Sequence, residues 1–140
     1  MLVVGIDPGQ HTGLAVWDTS LRQFRDIRCS GIVDAMRYLQ ELQQERQIGL
    51  LVFEDARLRK WLPREKSLGE FKGRAMGAGS VRRDCSIWEE WCRTYCIDFV
   101  ATPPRPGMTK LTEEFFQHIT GWDRRTNEHS RDAAMLVFER

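Results

Sequence analysis

Three acids and one imidazole stand where apolar segments would hold them. Asp7 closes the run LVVGID, Glu54 closes the run LLVFE, and His129 and Asp132 lie three residues apart near the C-terminus. A charge at the end of an apolar strand is costly to bury unless something pairs with it. A divalent cation is one such partner, and carboxylates with one imidazole suit Mg2+ or Mn2+. Two such ions about 4 Å apart can clamp the attacking and leaving oxygens of a phosphodiester. Plainer readings stand beside this one. A strand-end acid is often a solvated loop residue, and a lone His is more often a surface or capping residue. What favours a cluster is that all three acids fall into one topology. Asp55 follows Glu54 directly, so in an extended chain it points to the opposite face and reads as a residue that supports the ligands from behind or as a loop cap, rather than as a metal ligand. Asp123 reads as a surface residue.

The apolar pattern predicts the elements that must position these residues. Residues 2–7 read as a buried strand, Pro8-Gly9 as a turn, and residues 12–17 and 23–29 as two further strands in hairpin-like pairing. Ile32, Val33, Met36, Leu39 and Leu42 recur at helical spacing, with Gly49 as a stop. Residues 50–54 form a short buried strand. A basic loop then enters a helix whose seam is Val81, Cys85, Trp88, Cys92 and Tyr95. Residues 97–101 read as a strand. A helix through Leu111, Phe115 and Ile119 follows, with Thr109 as its N-cap and Gly121 as its stop. A last helix spans 128–138, capped by Thr126 or Asn127. The order is β-β-β-α-β-α-β-α-α. The predicted class is α/β: a mixed five-stranded sheet, three antiparallel strands then parallel strands, flanked by helices. In that topology the first and fourth strands are neighbours, so Asp7 and Glu54 can meet. His129 and Asp132 share a helix face and can close the site from one side.

Composition narrows the function classes. The chain has 140 residues, which predicts one domain over 1–140. Its 21 Lys plus Arg against 20 Asp plus Glu give a net charge of +1, unlike a polycationic tail. The bases are not evenly spread. Residues 56–83 hold nine Lys or Arg and two acids, and the remainder holds twelve against eighteen. One segment therefore carries a positive field beside the Glu54 strand end, and Arg suits bidentate phosphate contacts. Arg57, Arg59, Lys60, Arg64, Lys72, Arg74, Arg82 and Arg83 are the candidate DNA contacts. A solvated charged loop is the plainer reading of such a run. No apolar run reaches the roughly 18 residues of a membrane span, and the first acid comes too early for a secretory signal. No P-loop is present, and no strand directly precedes Gly73, Gly77 and Gly79, so no nucleotide cofactor is expected. The four cysteines contain no C-x-x-C pair. Zinc is not expected, and small core side chains in a reducing compartment are.

Three stretches carry a family resemblance. Gly5-Ile6-Asp7-Pro8-Gly9 followed by Thr12-Gly13-Leu14-Ala15 resembles the first-strand motif of RuvC-type Holliday junction resolvases. Val52-Phe53-Glu54 is similar to their second acidic motif, and His129-Ser130-Arg131-Asp132-Ala133-Ala134 to their C-terminal helix motif. The small-residue helix from Gly73 to Gly79 adds to the likeness, which spans nearly the whole chain. The chain is short and looks more like the compact, phage-encoded relatives. The resemblance implies an RNase H-like fold, a homodimer, and cutting of branched DNA, especially four-way junctions, with two Mg2+ (or Mn2+) per site. It implies Asp7, Glu54, Asp132 and His129 as metal-binding residues, and 5′-phosphate and 3′-hydroxyl products. Lys110 falls where relatives place a basic residue near the scissile phosphate, although it reads equally as an ordinary first-turn helix residue. One position departs from the pattern. Relatives carry a junction-opening aromatic three residues after the second acid, and here that residue is Arg57. Either Arg57 or Trp61 takes that role, or no wedge exists. The other outcomes are a broader nuclease on forks, flaps or RNA-containing duplexes, and a non-catalytic DNA-binding module on the same fold. A cytoplasmic protein of a bacterium or phage-infected host is expected.

Overall fold

The computed structural model describes residues 1–60, 68–105 and 110–140, and leaves the side chains of Phe71 and Arg74 outside that description. Trp61, Arg64, Thr109 and the Arg74 side chain, all named above, therefore lie outside the described residues.

Strands β1 (Leu2–Asp7), β2 (Thr12–Asp18) and β3 (Gln23–Ser30) form the antiparallel half of one sheet. Helix α1 (Ile32–Glu45) crosses over to β4 (Ile48–Glu54), which pairs parallel to β1. A 3-10 turn (Ala56–Leu58) and the long helix α2 (Leu68–Thr94) lead to β5 (Phe99–Thr102), parallel to β4. Helices α3 (Glu113–Thr120) and α4 (Glu128–Met135) follow. The strand order β3-β2-β1-β4-β5 is the mixed five-stranded sheet that the sequence predicts.

The central strands are apolar on both faces because both are covered. Val4, Ile6, Leu14, Val16, Leu51 and Phe53 pack against Ala35 and Leu39 of α1 and Cys85, Trp88 and Cys92 of α2. Val3, Ala15, Trp17 and Val52 pack against Phe116 of α3 and Ala133 and Ala134 of α4. Each large side chain so buried contributes about 1.5–3 kcal/mol.

Four local expectations are corrected. Gly49 does not stop α1. The helix ends at Arg46, whose extended backbone still donates to the Leu42 carbonyl, and Gly49 lies inside β4 beside the Met1 side chain. Thr112 caps α3, its side chain accepting from Phe115 N–H, and Phe116 rather than Phe115 faces the core. Strand β5 starts later than expected: Cys96 turns the chain with φ 54°, and Ile97 still donates to the Cys92 carbonyl. The α2 seam is right for Cys85, Trp88 and Cys92, but Tyr95 and Cys96 are exposed at its end. At α4, Asn127 rather than Thr126 is the cap. It forms a reciprocal capping box with Ser130. Among the described residues, no helix is long and apolar enough to cross a membrane.

Candidate active site

Parallel pairing of β1 and β4 puts Ile6 beside Phe53, so the next residue of each strand emerges at the same end of the sheet. Those residues are Asp7 and Glu54. Helix α4 lies across β1 and β2 and brings His129 and Asp132 to that end. Two glycines permit its close approach. A Cβ on Gly13 would sit 1.9 Å from the His129 carbonyl oxygen, and one on Gly5 would sit 2.1 Å from that of Ala133. His129 and Ala133 are one helical turn apart, so one rail of the α4 backbone rests on both.

The His129 imidazole meets Asp7 through Nδ1···Oδ2 at 2.9 Å. Lys110 Nζ lies 3.2 Å from an Asp132 oxygen and 3.2 Å from a Glu128 oxygen. Burial pushes the Asp7 carboxyl above its ordinary range; the His129 hydrogen bond opposes this, and the Asp132 charge adds to it. Burial also raises Glu54, and the charges of Asp7 and Asp132 raise it further, against Arg59 and Lys110. The three acids thus feel one another in a partly desolvated space. For Lys110, burial works against the charge, but hydrogen bonds to Glu128 and Asp132 outweigh it and hold the ammonium above the usual lysine range.

Among the described residues, no three His, Cys, Asp or Glu side chains are gathered tightly enough to cage an ion as they stand. The donor chemistry nevertheless fits a hard divalent cation. The oxygens are carboxylate, and burial and mutual repulsion raise two of the acids. Two of the three are held by cationic or imidazole neighbours. The raised Glu54 carboxyl has a consequence for stability. A raised pKa favours the fold below the ordinary value of 4.5, and that contribution is lost as pH rises through the folded value. Glu54→Gln is therefore expected to raise the Tm of the metal-free protein by about 2 °C at about pH 7. The gain should vanish at about pH 4, where wild-type Glu54 is already protonated. Thermal melts in chelator at the two pH values check this, and an equal gain at both would contradict it.

Three neighbours were not singled out from the sequence. Glu128 shares Lys110 with Asp132. The His11 ring, in the β1–β2 turn, lies 6.0 Å from the His129 ring. Arg131 donates to the Leu111 and Thr126 carbonyls, at 2.9 and 3.0 Å, and so ties α4 to the segment that carries Lys110. His11 had a signal in its place two residues after Asp7-Pro8-Gly9, and Arg131 in its place within the C-terminal motif.

The basic residues divide into two groups. Lys60, Lys72, Arg82 and Arg83 are exposed, and Lys72, Arg82 and Arg83 stand on α2, which begins earlier than a long loop would allow. Arg59 is exposed and close enough to Glu54 for its charge to act there. Arg57, also expected as a DNA contact, is partly buried, and Asp55 and Glu89 hold its guanidinium. Asp55 is a loop cap, as its position after Glu54 suggested, accepting from Arg57 N–H.

Neither a family profile nor a curated protein matches the chain in sequence. Solved structures do match its fold. The chain is similar to T. thermophilus RuvC in complex with a Holliday junction substrate, with a TM-score of 0.59 and 17% identity over 99% of this chain and 92% of that one. A second Thermus thermophilus RuvC structure gives a TM-score of 0.58, with the same identity and coverage. The architecture is thus an RNase H-like fold. Within that class, the particular fold this chain shares is that of RuvC.

Proposed function

We propose that this protein is a divalent-metal-dependent endodeoxyribonuclease that resolves four-way DNA junctions, acting as a homodimer. The observation that supports the reading is that Asp7 and Glu54 leave paired strands at one end of the sheet, near enough to Asp132 for the charges of these acids to raise the Asp7 and Glu54 carboxyls. Their mutual repulsion leaves a negative space that a cation would relieve. The RuvC fold and the bound junction of one neighbour support the substrate class.

In this reading Asp7 and Glu54 from adjacent strands, with Asp132 and His129 from α4, hold Mg2+ or Mn2+. When bound, the ions supply a nucleophilic water and neutralise the leaving oxygen. His129 Nδ1 orients the Asp7 carboxylate. Lys110, which pairs with both Glu128 and Asp132, would be the cation nearest the scissile phosphate. Arg82, Arg83 and Lys72 on α2 bind backbone phosphates, which gives affinity without sequence information. A two-fold dimer places two such sites on opposed strands and accounts for symmetric cutting. The products carry 5′-phosphate and 3′-hydroxyl ends.

Neutralising Arg82 and Arg83 together to Gln should weaken junction binding and lower the slope of log K against log salt by about two. The control is Arg22 and Arg25, already paired with Glu139 and Asp18. An equal loss in the control would remove the α2 surface from the account. The substrate class is decided by cleavage of four-way, three-way, flap and linear DNA with Mg2+. The reading expects the four-way junction to be cut fastest, and a dominant preference for flaps would replace the resolvase by a broader structure-selective nuclease.

A further inference from the structure

We infer that Arg57 is a positioning residue for Glu54, clamping the end of β4 to α2, and makes no contact with DNA. The inference rests on the nuclease reading above.

All three guanidinium nitrogens are occupied. Nε donates to both Asp55 oxygens at 2.9 and 3.1 Å. Nη2 donates to Asp55 Oδ2 at 2.7 Å and to Glu89 Oε2 at 2.6 Å. Nη1 reaches Ser86 Oγ at 3.4 Å. The other Glu89 oxygen is held by Arg93 at 2.9 Å. Two cations and two carboxylates make this network neutral, so Arg57 lends no net field to a polyanion. Asp55 is only 2% exposed. A phosphate that drew Arg57 away would leave a buried carboxylate unpaired, which costs several kcal/mol.

The clamp surrounds the residue that precedes Asp55. The Glu54 carbonyl accepts from Cys85 Sγ of α2 at 3.6 Å. Asp55 N–H donates to the Thr102 carbonyl of β5 at 2.7 Å. Asp55 also caps the turn that starts the basic segment. The main chain on which the Glu54 carboxylate stands is thus fixed from α2, from β5 and from its own following turn. Three members of the network (Ser86, Glu89 and Arg93) lie on α2, so the direction in which that basic helix leaves the site is set by the same contacts.

The test compares wild type, Arg57→Met and the double variant Asp55→Asn/Arg57→Met, which removes both charges so that no buried carboxylate is stranded. Junction affinity is measured against salt, and single-turnover cleavage against Mn2+ concentration. Both variants are expected to cleave about 10- to 100-fold more slowly, to need more Mn2+ for half-maximal rate, and to keep the wild-type salt slope. Arg57→Lys, which restores one charge without the fork, should recover part of the rate. A salt slope lowered by about one would make Arg57 a phosphate contact and overturn the inference. An unchanged cleavage rate in the double variant would overturn it whatever the slope. A wild-type protein that cuts no branched DNA removes the nuclease reading, and the inference with it.

Discussion

Asp7→Asn is expected to lower four-way junction cleavage by about 10³-fold or more while leaving junction binding in place. The estimate follows from the several kcal/mol of charge stabilisation that a correctly held divalent ion provides, at about 1.4 kcal/mol per factor of ten. The substitution conserves shape and removes the charge that would hold the ion. The change does not threaten the fold. Burial and the nearby Asp132 already raise the Asp7 carboxyl, so its charge costs stability in the metal-free protein. Its strand is anchored by Val3, Val4 and Ile6, all fully or almost fully buried. Binding survives because the candidate phosphate contacts on α2 keep their charge in this variant. Gel-shift affinity in chelator and single-turnover cleavage in Mg2+ separate the two effects. Wild-type cleavage by this variant would remove Asp7 from the site.

The second large effect is structural, and it reaches the same site through the backbone. Gly13→Ala should destabilise the protein by about 3 kcal/mol or more, a Tm loss of about 10 °C. Its φ is not positive, so backbone strain is not the cause; the close approach of α4 is. The new Cβ would meet the His129 carbonyl oxygen at 1.9 Å and the Ser130 nitrogen at 2.9 Å, and helix backbone cannot turn aside as a long side chain can. The helix must lift by about 1 Å to clear it. His129 and Asp132 travel with it, and a displacement on that scale costs catalysis about 10²-fold. Gly5→Ala should behave alike through Ala133. Melts of the two variants, set beside cleavage at a temperature where both are folded, test this. A Gly13→Ala protein with wild-type Tm would show that α4 does not need these glycines to lie on the sheet.

Most of the architecture was legible because the central strands are buried on both faces. Their residues form continuous apolar runs that end sharply at Asp7 and Glu54. Three short strands before the first helix leave little room for anything but antiparallel pairing, and the crossover through α1 then places β4 beside β1. The meeting of the acids follows from that order. Less visible were features set by partners distant in the chain. Glu89 lies 32 residues after Arg57, so a basic residue in a basic run read as a phosphate contact, although carboxylates already hold it. Phe115 and Phe116 are adjacent, and periodicity across one short helix does not choose between them; the position of the Thr112 cap does. Gly49 looked like a helix stop because glycine commonly is one, while in β4 it falls at the register shift between the Leu2–Ile48 and Val3–Leu50 pairs. Arg131 sat inside a recognisable motif, but its carbonyl partners lie outside the helices: Leu111, which the apolar spacing put in a helix, precedes the Thr112 cap, and Thr126 precedes the Asn127 cap.

The proposed cutting of branched DNA needs divalent metal held by Asp7 and Glu54, at the ends of β1 and β4, and by Asp132, within α4. It is tested most directly by end-labelled four-way junction incubated with the full chain in Mg2+, in Mn2+ and in chelator, with Asp132→Asn run alongside. The account predicts paired nicks on opposed strands, with 5′-phosphate and 3′-hydroxyl ends, only where both metal and Asp132 are present. Cleavage that persists in chelator, or at the wild-type rate in Asp132→Asn, would contradict it.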